Sequence, residues 1–356
     1  MWITVRRTNI EDMITVENLS KRYGKKTAVQ NLSFHVPDGQ VTGFLGPNGS
    51  GKSTTMRCML GLDAPTSGHV NFSGTLASGE AYSGSFAQMA MKSAIAGSVL
   101  DAHWFDPKRS GRNHLRVIAA GAGISDRRVD ECLELVGLSH AAKAKVGGYS
   151  LGMKQRLGLA TALLGDPQHL LLDEPVNGLD PEGVSWIRRV IRQLSSEGRA
   201  VLVSSHLLSE MQQTADRLVV IGKGQLIGEY SMEEFLADGT KVMVECREAV
   251  LLAQTLKQAG CVVDVERDRV LTVDVPEERD ESEVRAFIAQ AALDQGFLIT
   301  SLRTEMANLE QRFLAATATA QEYRTTELHE GHAPTQGSAP SHQNSNQQAT
   351  SMTEAR

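Results

Sequence analysis

The sequence predicts an α/β fold with a mainly parallel core sheet, and three observations carry the prediction. Four short apolar runs, QVTGFL (40–45), HLLLD (169–173), AVLVSS (200–205) and RLVVIG (217–222), lack the alternation of a half-exposed strand. Such continuous runs suit strands buried on both faces, as in parallel sheets. Helix-patterned segments lie between them, the alternation of an α/β layer architecture. A glycine-rich stretch, GPNGSGKST (46–54), joins the first of these strands to the helix-patterned TTMRCMLGL (54–62). That is the strand–loop–helix order of a phosphate-binding turn.

The elements follow in chain order. Residues 1–12, MWITVRRTNIED, lack the apolar core of a signal peptide and read as an N-terminal extension. ITVENLSKRYGKKTAVQNLSFHV (14–36) alternates apolar and polar residues and predicts an antiparallel side sheet. The main domain spans 13–230. Its helical segment YSLGMKQRLGLATALL (149–164) opens on Ser150, a good N-cap, and shows Met153, Leu157, Ala160 and Leu164 on one face. From 231 to 320 a second pattern begins. KVMVEC (241–246) reads as a strand, and Leu251, Leu252, Thr255, Leu256 and Ala259 as a helix. CVVDVE (261–266) and RVLTVDV (269–275) read as a hairpin. A second helix carries Val284, Phe287, Ile288, Ala291 and Ala292, and FLITSL (297–302) is a last strand. The order β-α-β-β-α-β predicts a small ferredoxin-like α+β accessory domain, closed by a helix marked by Met306, Leu309 and Phe313. Residues 321–356 are rich in His, Gln, Ser, Asn and Pro, with little to bury, and predict a disordered tail. Its His332 and His342 are too isolated to hold a metal.

Composition narrows the function classes. The 356 residues suffice for two domains, and 41% hydrophobic with 22% charged residues is ordinary for a globular chain. A net charge of −6 without a long basic run argues against nucleic acid as the main partner. Cys58, Cys132, Cys246 and Cys261 show no metal-ligand or disulfide-framework spacing, which fits a reducing cytoplasm. No run of 18 apolar residues spans a bilayer, so work at a membrane requires another chain to carry the protein there.

The chemistry starts in the glycine-rich run. Gly46, Gly49 and Gly51 free the backbone to approach a ligand, and consecutive N–H groups form an anion nest. Pro47, Asn48, Ser50 and Thr54 complete the loop. Lys52 supplies a charge for the β- and γ-phosphates and Ser53 a hydroxyl for Mg²⁺; with Gly46 and Gly51 they satisfy the spacing G-x-x-x-x-G-K-[ST]. HLLLDEP runs a buried strand into two carboxylates, which are costly there without a cation. Asp173 is placed to hold Mg²⁺ and Glu174 to polarise an attacking water. Ser150 and Gly152, at the start of the later helix, offer a second anion site.

These motifs in this order resemble the ATP-binding cassette ATPases over residues 13–230. Ser150, Leu151, Gly152 and Met153 look like a variant of that family's signature motif, usually written LSGGQ, which Gln155 and Arg156 continue. NGLDP carries Asp180, similar to the family's D-loop. VSSHLLSE carries His206, similar to the switch histidine that contacts the γ-phosphate. Tyr23 resembles the aromatic that stacks on adenine; as a plain strand residue it needs no such role. One position departs: the family's glutamine between phosphate loop and signature is replaced. AIAGSVLDAHWF (94–105) puts Asp101 there as a Mg²⁺ ligand, with Gln88, in the poorer strand SGSFAQMAMK, as rival. The carboxylate puts ordinary coupling to a membrane partner in doubt.

The resemblance implies a P-loop cassette with a helical signature subdomain, ATP and Mg²⁺ as cofactors, and ATP hydrolysis driving transport. It implies separate integral membrane permease subunits, a head-to-tail homodimer, and residence at the cytoplasmic face of the cell membrane. YSLGMKQR and the altered glutamine position resemble the bacterial antibiotic-resistance and multidrug exporters. The alternative is a regulatory cassette ATPase acting on a soluble or ribosomal partner. A single phosphate loop argues against the two-cassette translation factors. The absence of a long coiled coil between Lys52 and Ser150 argues against chromosome and repair ATPases.

Overall fold

The computed structural model describes residues 13–101, 104–237, 241–267, 269–276 and 279–305. The extension at 1–12, the closing helix expected at Met306, Leu309 and Phe313, and the tail at 321–356 lie outside them. The first part of the chain runs β1 (Met13–Tyr23), β2 (Lys26–Pro37), β3 (Val41–Leu45), α1 (Lys52–Met59), β4 (Ser67–Thr75), β5 (Ala81–Gly84), α2 (Lys92–Ile95) and β6 (Ala96–Val99). It continues with α3 (Gly111–Gly121), α4 (Asp126–Leu135), α5 (Leu151–Ala162), β7 (His169–Asp173), α6 (Pro181–Ser196), β8 (Ala200–Ser205), α7 (Leu208–Gln212), β9 (Arg217–Gly222), β10 (Gln225–Ser231) and α8 (Met232–Ala237). The last elements are β11 (Lys241–Cys246), α9 (Ala249–Gln258), β12 (Val263–Arg267), β13 (Val270–Asp274), α10 (Glu281–Asp294) and β14 (Ile299–Glu305).

The four apolar runs became the centre of a six-stranded sheet ordered β10-β9-β3-β8-β7-β6. The pairs β3–β8, β3–β9, β7–β8 and β6–β7 are parallel. Alternate side chains feed two separate cores, as the period of 2 demands. Val41, Leu45, Leu170, Leu172, Val201, Val203, Leu218 and Val220 pack with α3, α4, α5 and α6. Phe44, Leu171, Leu202, Val219 and Ile221 face the opposite way, against α1 and the antiparallel sheet β2-β1-β4-β5. Phe34 and Phe44 stack across the two sheets with centroids 5.2 Å apart. Both faces are therefore buried, which is why the runs show no polar alternation. β10 carries no such run; Gly228 and Glu229 interrupt it, and it joins as an antiparallel edge strand. Met232 and Phe235 belong to the first core, so its packing reaches past residue 230.

Helix α1 starts at Lys52 and ends at Met59, earlier at both ends than the 54–62 pattern suggested. Gly51, at φ 109°, turns the chain so that Lys52 already opens the helix. At the far end Gly61, at φ 65°, stops it, with its N–H on Cys58 O at 3.1 Å and the Leu62 N–H on Arg57 O at 2.9 Å. This is the usual left-handed glycine stop.

Gly97 lets α5 lie directly on β6. A Cβ there would sit 2.1 Å from the carbonyl oxygen of Ala162, a backbone atom with no rotamer to yield. Gly97→Ala is expected to lower the unfolding free energy by about 1–3 kcal/mol, the usual cost of overpacking. Denaturant titration measures it, and an unchanged midpoint would refute the close approach.

The strands β11, β12, β13 and β14 form a fully antiparallel sheet ordered β12-β13-β11-β14. With α9 and α10 between them in sequence, this is the split β-α-β arrangement of a ferredoxin-like unit. Val242, Val244, Leu252, Leu256, Leu271, Val273 and Ile288 make its own core. Among the described residues no helix is long and apolar enough to cross a membrane.

Candidate functional site

The parallel strands β3, β7 and β8 end along one edge of the core sheet, and three loops leave from it. Ligand sites in such sheets lie at the carboxyl ends of the strands. The loop after β3 is the glycine-rich run. The Gly46 N–H donates to Ser205 O at 3.3 Å, at the end of neighbouring β8. Gly49 and Gly51 hold φ of 81° and 109°, closed to side chains without strain. Lys52 is only 5% exposed. Its ammonium donates to Gly46 O at 2.7 Å and Pro47 O at 3.3 Å. Burial lowers its pKa, and Glu174 and Asp173 pull the other way. The loop thus concentrates one buried cation at the start of a helix, whose first N–H groups have no partner within the helix.

β7 delivers Asp173 at its last position and Glu174 just beyond, with φ 45°. That left-handed turn separates the two carboxylates. Glu174 Oε1 lies 3.7 Å from Lys52 Nζ and 3.4 Å from His206 Nδ1. The structure therefore brings Lys52, Glu174 and His206 together. Ser204, fully buried at the end of β8, is a residue the sequence reading missed. Its hydroxyl donates to Asp173 Oδ1 and accepts the Glu174 N–H at 2.9 Å, so one side chain ties the Asp173 carboxylate to the backbone of Glu174. Asn177 donates to Glu174 Oε2 at 3.3 Å. VSSH carried no signal that separates Ser204 from a plain strand serine.

A cavity of about 440 Å³ runs alongside the loop. Tyr23 lines one part of it, and Asn48, Gly49, Gly51, Lys52, Ser53, Thr54 and Glu174 line another, with Lys26, Thr27, Ala28 and Lys223 between chain segments the sequence reading did not connect. The Tyr23 hydroxyl donates to Asp63 Oδ2 at 2.7 Å, and Arg57 Nε donates to the same oxygen at 2.7 Å. Lys21 Nζ lies 4.8 Å from the ring centroid. The ring is thus fixed by its neighbours while remaining on the cavity wall. These hydrogen bonds from Arg57 and Tyr23 hold the Asp63 carboxyl below its usual pKa.

Ser150, Leu151, Gly152 and Met153 do not join this cavity. Ser150 caps α5 as expected, its Oγ accepting the Met153 N–H at 3.2 Å. Asp180 caps α6, its Oδ1 accepting the Gly183 N–H at 2.9 Å. Ser150, Gly152, Met153 and Asp180 line a second cleft of about 200 Å³, with Arg156, Leu179, Glu182 and Trp186. The Arg156 guanidinium stacks 4.1 Å from the Trp186 ring and donates to Val136 O at 3.1 Å. α5 and α6 are thereby held together at the ends that carry the two caps. Within one chain, the signature end and the phosphate loop face different cavities.

β6 ends at Val99, and exposed Asp101 follows two residues later, beside β7 on the core sheet. Gln88 instead ends a short 3₁₀ turn after β5, next to the antiparallel sheet, and is exposed. β6, the strand that leads to Asp101, thus pairs with the Asp173 strand, whereas Gln88 lies outside the core sheet. Neither residue lines the cavity. Among the described residues no three His, Cys, Asp or Glu side chains gather for a metal. Ser53 and Asp173 offer hard oxygens, enough for an ion that also takes phosphate oxygens and water, the usual habit of Mg²⁺.

The profile of the family described as ABC transporter matches residues 29–177. The chain is 37% identical over 309 residues to the bacitracin transport ATP-binding protein BcrA of Enterococcus faecalis, covering 85% of this chain and 96% of that one. It is 37% identical over 217 residues to the lantibiotic transport ATP-binding protein SrtF of Streptococcus pyogenes, covering 61% and 90%. Among solved structures, cbiO1 of Clostridium perfringens, described as part of an ABC transporter complex, superposes with a TM-score of 0.53 at 26% identity over 65% of this chain and 92% of that one. A dimeric ATP-binding cassette bound to ADP and phosphate superposes at 0.53 and 23% identity, over 62% and 99%, and speaks for the fold alone.

Proposed function

The chain belongs to the ABC transporter family as an ATP-binding subunit, and from that premise we propose how its residues bind and hydrolyse ATP to drive transport through separate membrane-spanning subunits. The observation that carries the reading is Glu174 Oε1 set 3.7 Å from Lys52 Nζ and 3.4 Å from His206 Nδ1, at the cavity lined by the phosphate loop. The adenine stacks on Tyr23. The phosphates lie on the N–H groups of residues 46–54 and against Lys52. Glu174 accepts a proton from the attacking water. His206, held beside Glu174, contacts the γ-phosphate. Ser53 and Asp173, with Asp101 as a third oxygen donor, would hold Mg²⁺, which would supply neutralising charge for the phosphate chain. Ser204 holds the Asp173 carboxylate and the Glu174 backbone together.

The separation of the Ser150 cleft from the Lys52 cavity supports a head-to-tail homodimer. In it the Ser150 helix end of one protomer meets the γ-phosphate on its partner's loop, and Asp180 lies between. Closure on ATP then pulls the permease subunits at the cytoplasmic face of the membrane. The names of the relatives, bacitracin and lantibiotic transport proteins, support export of antibiotic-type cargo over a ribosomal role.

Ser150→Arg is expected to bind ATP as a monomer but neither dimerise nor turn over. Mixed with Lys52→Ala protein, it regains part of the activity that neither variant shows alone. That mixture pairs an intact phosphate loop with an intact signature end. Full activity of Ser150→Arg by itself would refute the composite site.

A further inference from the structure

Five non-glycine residues among those described hold a left-handed backbone: Asn18, Asn31, Asp166, Glu174 and Lys223. Asn and Asp visit this region readily because their short polar side chains bond locally. Glutamate and lysine have no such compensation. Glu174 and Lys223 are the two of that kind, and both line the cavity of Lys52. Backbone strain of this type collects at functional sites.

Lys223 and Gly224, at φ 48° and 78°, make the two-residue turn between β9 and β10. Such a turn favours Asn, Asp or Gly at its first position, so turn chemistry does not account for a lysine. The turn is also clamped. The Gly224 N–H donates to Ser50 O at 2.8 Å, and Gly224 O accepts from the Gln30 N–H at 2.8 Å. A Cβ on Gly224 would meet Ala28 O at 2.5 Å and Val29 Cα at 2.9 Å. The turn is therefore pinned between the phosphate loop and β2, and Lys223 reaches the cavity from a fixed base. Lys26 lines the cavity too, but from ordinary strand geometry beside Tyr23, with no strain to explain.

We propose that Lys223 is a second cationic contact for the phosphate chain of the bound nucleotide, acting beside Lys52. A triphosphate carries several negative charges, and the buried charge of Lys52 is already shared with Glu174 and two loop carbonyls. A cation at the cavity wall compensates the remainder, and the strained turn holds it there. The inference rests on the reading that this cavity holds ATP.

The test compares Lys223→Gly and Lys223→Asn with the wild-type chain, by equilibrium ATP titration and by melting without nucleotide. Both substitutions suit the left-handed turn, so melting temperatures are expected to hold or rise. The dissociation constant for ATP is expected to rise about five- to tenfold, as for loss of one charge-assisted contact at an exposed site. The difference should shrink with added salt, and Lys223→Arg should retain wild-type affinity. Unchanged ATP affinity in both variants would overturn the proposal, whatever their melting temperatures. So would an Arg variant as weak as the Gly one. A wild-type chain that fails to bind ATP would sink the site reading itself, a result distinct from either.

Discussion

Glu174→Gln is expected to bind ATP at least as tightly as the wild-type chain while hydrolysing it about 10²–10⁴-fold more slowly, the range for loss of one positioned base. The amide preserves the shape and can still accept from Asn177, which lies 3.3 Å from Oε2. It cannot take a proton from water. It also removes a negative charge 3.7 Å from Lys52, leaving that cation freer for phosphate. Binding and turnover should thus move apart, and an ATP-bound dimer should persist on size exclusion. Single-turnover hydrolysis measures the chemical step. A wild-type rate would remove Glu174 from the role of base, and weaker ATP binding would contradict the charge argument.

Lys52→Ala is expected to weaken ATP binding by about 100-fold, the loss of a charge-assisted contact made from a buried donor. The group is 5% exposed and ties its own loop through Gly46 O and Pro47 O. Removing it leaves Glu174 without its cation and the loop carbonyls without their donor. A melting curve run beside the ATP titration separates these effects. A folded variant with near-wild-type ATP affinity would show that the phosphates do not lie against Lys52.

Much of the fold was legible because its centre is buried on both faces. Strands such as HLLLD and AVLVSS must be apolar throughout to fill two cores, and that leaves a plain trace in sequence. β10 left none, since an edge strand needs no continuous apolar run. The same logic divides the candidate site. The glycine-rich loop and the acidic pair are local in sequence and announce themselves. Ser204, Trp186 and Lys223 act through neighbours brought in by folding. Ser204 reaches the acids across the β7–β8 pair, Trp186 meets Arg156 from the next helix, and Lys223 arrives on a turn pinned to Ser50. Nothing in the types or spacing of these residues encodes those meetings. Helix α1 was misplaced for a related reason: periodicity marks where a helix packs, while Gly51 and Gly61 decide where it starts and stops.

The strand order of the core sheet also bears on how the site comes into being at the ribosome. β3, which carries the phosphate loop, sits between β8 and β9, strands made long after it. The loop is held at one end by Ser205 O and near the other by the Gly224 N–H. A nascent chain halted before residue 200 contains the whole of GPNGSGKST but neither of the strands that flank β3. Pairings this distant in sequence form late, since loop closure must precede them. ATP, which stabilises only the state it binds, therefore cannot template the early steps of synthesis. The loop that would receive it is fully held only after β8 and β9 have emerged.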